Sequence, residues 1–287
     1  MPSFEPPTPI DLRRTLAAIG IRDWKEGAAW WTVTTSAGSA TVAIESGNGA
    51  VEATAWGKGA DEVLERIPRL LGFDDDPDAF DARELREVHR RSLGLRLGST
   101  GAVFPVLARA ILAQVVTSVE ARSSHRGLVR AFGAPAPGPR ADLLVPPTPE
   151  AIAALGYEDL HRLGIERRRA ETLLESARRA KRLDEIMAMD RDAADRRLTA
   201  VRGIGAWTAA IVMGEAWGDR DAVMVGDYNL PSEVTWALRG QRQGTDDEML
   251  ELLEPFRPNR RRALLLIKQS GITPPRHGPK TPIRRHL

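Results

Sequence analysis

The spacing of apolar and polar positions divides the chain into a strand-rich front and a helical remainder. Residues 11–19 (DLRRTLAAI) carry the spacing of a short helix. Residues 28–35 (AAWWTVTT), 39–46 (SATVAIES) and 50–56 (AVEATAW) then alternate, are rich in Val, Thr and Trp, and are separated by glycine turns at 37–38 and 47–49. That pattern predicts an antiparallel meander. Between residues 60 and 71 the period becomes helical again, with Val63, Leu64, Ile67, Leu70 and Leu71 on one side. From Asp81 onward the reading is helical almost throughout. Residues 104–119 predict a buried helix with Gln114 amid apolar neighbours, 151–182 two helices around Leu163-Gly164, and 206–216 an Ala-rich helix. The expected fold class is α+β: an N-terminal antiparallel sheet domain (1–80), then an all-α domain (81–270) and a basic, proline-rich tail (271–287).

The breaks between these elements have chemistry of their own. The acidic stretch 73–78 (FDDDPD) reads as a solvated junction, and its aspartates lack the spacing of a calcium loop. Residues 133–149 (GAPAPGPRADLLVPPTP) predict an extended, solvent-facing loop. The run Arg167-Arg168-Arg169 is either surface charge or a phosphate contact.

Composition narrows the function. With 287 residues and 42% apolar content the chain can build two cores. It has no apolar run of membrane-spanning length, and its first residues, MPSFEPPTPID, lack the segments of a signal peptide. The absence of cysteine excludes disulfides, thiolate zinc sites and a cysteine-ligated iron–sulfur cluster. The net charge of +2 conceals a split: residues 1–88 hold 9 bases against 16 acids, and residues 89–287 hold 32 against 23. Beyond Glu254 there are nine bases and no acids. Such a division suggests a support joined to a part that meets a polyanion.

The most informative stretch is 198–231, LTAVRGIGAWTAAIVMGEAWGDRDAVMVGDYNLP. A helix ends, Val201-Arg202-Gly203-Ile204-Gly205 turns tightly, and a second helix begins. Glycines let another backbone come close, and the free N–H groups of the new helix suit a phosphate oxygen. On its own this reads as an ordinary helical hairpin. A polar turn at 218–221 and a short apolar run then lead to Gly226-Asp227.

The motif Gly203-Ile204-Gly205-Ala206-Trp207-Thr208-Ala209, with an aspartate about twenty residues on, resembles the helix-hairpin-helix DNA glycosylases. The resemblance is greatest to their bacterial alkylation-repair branch, 3-methyladenine DNA glycosylase II. It spans most of residues 90–270 and takes in the segment 254–260 (EPFRPNR), which resembles the branch's approach to its last helix. It implies a monofunctional enzyme that excises alkylated or otherwise damaged purines from double-stranded DNA by base flipping, working as a monomer in the cytoplasm at the bacterial nucleoid. Asp227 would be the catalytic carboxylate, and an N-cap is its compatible plainer role. Arg202, Gly203, Ile204, Gly205 and Thr208 would hold the DNA backbone, and Gln114 and Val115 would enter the gap left by the displaced nucleotide. The resemblance also implies that the hairpin carbonyls can hold a monovalent cation; no other cofactor or metal is expected. Trp207 stands where bifunctional relatives carry their Schiff-base lysine, and packs in the core or stacks near the base. Ile211 and Lys268 stand where the branch commonly has pocket aromatics, which makes neutral lesions such as hypoxanthine or ethenoadenine more plausible than is usual for the branch. The competing readings are a non-catalytic DNA-binding protein with the same hairpin, a mismatch or oxidised-base glycosylase, and a metal-dependent hydrolase.

Overall fold

The computed structural model describes residues 2–47 and 49–275. The N-terminal part of the fold is built on a five-stranded antiparallel sheet: β1 (Ser3–Phe4), β2 (Asp23–Lys25), β3 (Ala28–Thr34), β4 (Ser39–Gly47) and β5 (Ala50–Trp56), in the order β1-β5-β4-β3-β2. The meander β3-β4-β5 is the part the alternation predicts. The two edge strands, β1 and β2, are too short to show a period. Register puts Ala29 opposite Ile44 and Val42 opposite Ala55. One face is therefore apolar, and the helix Leu12–Ala18 and the pair Ala60–Glu65 and Ile67–Leu70 close over it through Leu16, Val63, Ile67 and Leu70.

The opposite face is covered too, and here the expected solvent-facing loop is corrected. Two short strands within it, β6 (Ala134–Pro135) and β7 (Leu144–Val145), pair with each other, and Thr32 donates to the Leu144 carbonyl at 2.9 Å. Arg140 stacks over Trp30, which in turn stacks on Trp56. A face bearing two tryptophans gains more from burial than from exposure.

The helical remainder packs around two cores. One gathers the helix Val103–Leu112 with the helices Arg167–Arg178, Arg191–Thr199 and Ala206–Val212. The other gathers Phe80 and Leu85 with the helices Leu230–Arg239, Asp246–Leu253 and Arg260–Ser270. No helix among the described residues is long and apolar enough to cross a membrane.

Two expectations about charge fail for the same reason: buried arginines need partners. The junction at 73–78 is not simply solvated. Asp75 is buried, accepts from the Leu97 N–H at 2.8 Å, and pairs with the buried Arg262, while Arg96 donates to its carbonyl. Arg260 forms a two-pronged pair with Asp221, at 2.9 and 2.6 Å, and Arg261 reaches the Ala18 carbonyl at 2.9 Å. Arg257 also binds Asp221, at 2.9 Å. Four of the nine bases beyond Glu254 thus stitch the last helix to the rest of the protein. The basic tail lies mostly outside the described residues, from 276 onward.

Candidate active site

The predicted helix over 104–119 is two helices. The first, Val103–Leu112, closes through turns at Ala113 and Gln114; the second, Ser118–Phe132, opens with Thr117 and Glu120 bonded reciprocally as a capping box. Arg169 secures the corner. It is buried rather than on the surface, and donates to the Leu112 carbonyl at 2.9 Å and the Gly164 carbonyl at 3.2 Å. Val115 sits at the tip of the corner, 99% exposed and with φ of +54°. A β-branched residue at positive φ is strained, and an apolar side chain wholly in water is unpaired.

Gln114 connects this tip to the hairpin. Its Nε2 donates to the Gly203 carbonyl at 3.0 Å and to Thr208 Oγ1 at 2.8 Å. The side chain of Thr208 is buried and holds Gln114, so it does not face outward. Ile204 is likewise buried, leaving only its backbone for a ligand. Gly203 has φ of +90°, and a Cβ there would lie 2.1 Å from Thr172 Oγ1. Both its conformation and its neighbour demand glycine. Gly205 is exposed with open space around it, and Arg202 is exposed with no ion pair among the described residues. The carbonyls of Val201 and Gly203 already accept from Ile204 N–H and Gln114, so a cation at the hairpin would share them.

Asp227 meets the hairpin directly. Its Oδ2 accepts from Trp207 Nε1 at 3.0 Å, and Trp207 is in the first turn of the helix Ala206–Val212. Its Oδ1 accepts from the N–H groups of Asn229 and Leu230, at 2.9 and 3.0 Å. Asp227 therefore holds the entry to a helix that starts at Leu230, two residues later than expected, and Asn229 takes the N-cap position in its place. Upstream, Gly226 turns at positive φ and its N–H donates to Asp246 at 3.0 Å. Burial raises the affinity of Asp227 for a proton, but the bond from Trp207, those from Asn229 and Leu230, and the Lys268 charge outweigh it. The carboxyl lies below its ordinary range and is ionised at neutral pH.

Lys268 is exposed on the last helix, and its charge acts on Asp227. Ile211 is half-buried and packs against the helical core. The sequence did not disclose the Trp207–Asp227 bond, since twenty residues separate the partners. Nor did it single out Tyr228, which is 95% exposed beside the carboxylate. An aromatic directly after an aspartate in a glycine turn was the available signal.

No protein-family model matches the chain. A Mycobacterium tuberculosis protein named "Probable bifunctional transcriptional activator/DNA repair enzyme AlkA" is 32% identical over 175 residues, 58% of this chain and 34% of that protein. The chain thus spans about a third of that relative's length. A Bacillus subtilis DNA-3-methyladenine glycosylase is 26% identical over 206 residues, covering 69% of this chain and 68% of its own. Among solved structures, the 3-methyladenine DNA-glycosylase from Archaeoglobus fulgidus aligns with a TM-score of 0.80 at 21% identity, covering 94% of this chain and 98% of that one. The chain is thus similar in sequence to DNA-3-methyladenine glycosylases and shares the fold of the Archaeoglobus fulgidus enzyme. In that shared fold, the glycine turn, the exposed tip at Val115 and the carboxylate of Asp227 are joined here by two side chains, Gln114 and Trp207.

Proposed function

We propose that the protein is a monofunctional DNA N-glycosylase that excises damaged purines from duplex DNA, acting as a monomer. The observation that carries the reading is the bond between Trp207 on the hairpin and the ionised carboxylate of Asp227. An anchor for the strand and a negative charge for the sugar are then held in one frame. The hairpin backbone and Arg202 fix the phosphates, which sets register without reading sequence. The damaged nucleotide leaves the stack at a cost of a few kcal/mol, and Val115 fills the gap. Its strain is supported by the Gln114 bonds beneath it. Loss of the base leaves an oxocarbenium-like sugar, which the Asp227 carboxylate stabilises while orienting or deprotonating water.

Lys268 opposes a positively charged base at the same site, and Ile211 offers no aromatic face to attract one. Neutral purine lesions, such as hypoxanthine or ethenoadenine, are the preferred substrates on this reading. A panel of duplexes, each with a single lesion, is expected to yield free base and an intact abasic strand. Borohydride added during the reaction is expected to trap no covalent adduct; an adduct lost in Lys268→Ala would replace the monofunctional reading with a lyase.

The hydrogen bond from Trp207 has a pH signature. The active form is the carboxylate, so the rate should fall only as pH drops through a pKa below the usual aspartate value of about 3.9. Trp207→Phe removes the hydrogen bond that does most to lower that pKa and leaves burial, which raises it. The acid limb of the single-turnover rate should move to higher pH. A limb unchanged from the parent protein would show that the indole does not tune the carboxylate.

A further inference from the structure

We propose that a cavity at the base of the hairpin is a second seat for the DNA backbone, taking phosphodiester groups of the duplex that the hairpin grips. The proposal rests on the DNA-glycosylase reading above and adds a binding surface to it. The cavity, of about 400 Å³, is lined by Arg179, by the helices Ala180–Asp184 and Arg191–Thr199 and by Met189 between them, and it reaches Val201, where the hairpin turn begins.

Arg179, Arg182, Arg196 and Arg197 line it, and no acid does. Two of these cations are matched nearby: Arg179 pairs with Glu175 at 2.5 Å and Arg197 with Glu185 at 2.6 Å. Arg182 and Arg196 are exposed and form no ion pair among the described residues. Arg197 also donates to the Arg182 carbonyl at 3.0 Å, which ties the helix Ala180–Asp184 to the helix Arg191–Thr199, the two that carry Arg182 and Arg196. Beneath them Leu183 and Val201 give an apolar floor.

A guanidinium presents a planar fork of donors that matches a phosphate, and an apolar floor suits the sugar between two phosphates. The place of the cavity favours a polymer over a free anion. Val201 both lines the cavity and opens the hairpin turn, so a strand gripped at the hairpin runs on beside the seat. The charge is also needed here, because the arginines at 257 and 260–262 are spent on internal pairs and bonds.

The test is a salt series of duplex binding with the parent protein and Arg182→Ala/Arg196→Ala. The slope of log affinity against log salt should become shallower by about 1.8, at ~0.9 for each phosphate that the variant no longer neutralises. Single-turnover base release at saturating protein should be unchanged, and so should the melting temperature, since both side chains are exposed. Shortening the duplex on the flank that reaches the cavity should erase the difference between parent and variant. A variant with the parent's slope and affinity on a long duplex would overturn the proposal. So would a loss seen only for inorganic pyrophosphate, which would mark a free-anion site. If the parent binds with the steeper slope yet releases no base from any lesion, the seat stands and the glycosylase reading fails; parent-like binding by a variant that still excises removes the seat alone.

Discussion

Asp227→Asn is expected to lower single-turnover base release by roughly 10²–10³-fold or more, the usual scale for losing one electrostatic contact to a transition state. Duplex affinity should stay close to that of the parent. The asparagine keeps the volume and an oxygen able to accept from Asn229 and Leu230, so the turn into the helix Leu230–Arg239 survives. What is lost is the negative charge facing the sugar, and with it the acceptor for Trp207 if the amide nitrogen turns that way. Denaturing gels after alkaline cleavage of abasic strands read the rate, and anisotropy reads binding. Excision retained by this variant would remove Asp227 from the chemistry. A parallel loss of binding would mean that it supports the fold instead.

The second large effect is on stability. Asp75→Ala is expected to cost about 3–5 kcal/mol, because it strands the buried Arg262 in the interior. The loss extends to the bond from the Leu97 N–H and to the nearby Arg220 guanidinium, 3.6 Å from the other carboxylate oxygen. Urea unfolding of the variant measures it directly. A double change, Asp75→Ala with Arg262→Met, should recover much of the cost, since no unpaired charge is left inside. A loss below about 1 kcal/mol in the single variant would mean that water reaches the pair and screens it.

These two aspartates also mark how far the sequence could be read. Asp227 was legible because a glycine turn, a fixed interval and an acid form a local pattern. The meander was legible because β3, β4 and β5 each alternate for long enough to set a period. Asp75 was not legible. An acidic, proline-broken run looks solvated from its neighbours alone, and its partner is 187 residues away. The same blindness applied to Arg169 and Arg260–Arg262, whose charge counts as surface until a fold supplies carboxylates and carbonyls. The corner at Val115 was hidden because residues 104–119 carry a single apolar pattern across a break. Only the Thr117–Glu120 capping box betrays the new helix. In the site itself the hairpin glycines, Gln114, Trp207 and Asp227 come together as a connected set, while Thr208 and Ile204 turn their side chains inward.

The central claim is that Asp227 stabilises positive charge on the sugar of an extruded nucleotide. Its most direct measurement compares two duplexes with abasic analogues, one carrying a cationic pyrrolidine ring and one a neutral tetrahydrofuran. The parent protein should bind the cationic analogue at least ~100-fold more tightly, as expected for a mimic of the charged transition state. Asp227→Asn should bind both alike. Equal affinity of the parent for the two analogues, or a preference that survives in Asp227→Asn, would contradict the account.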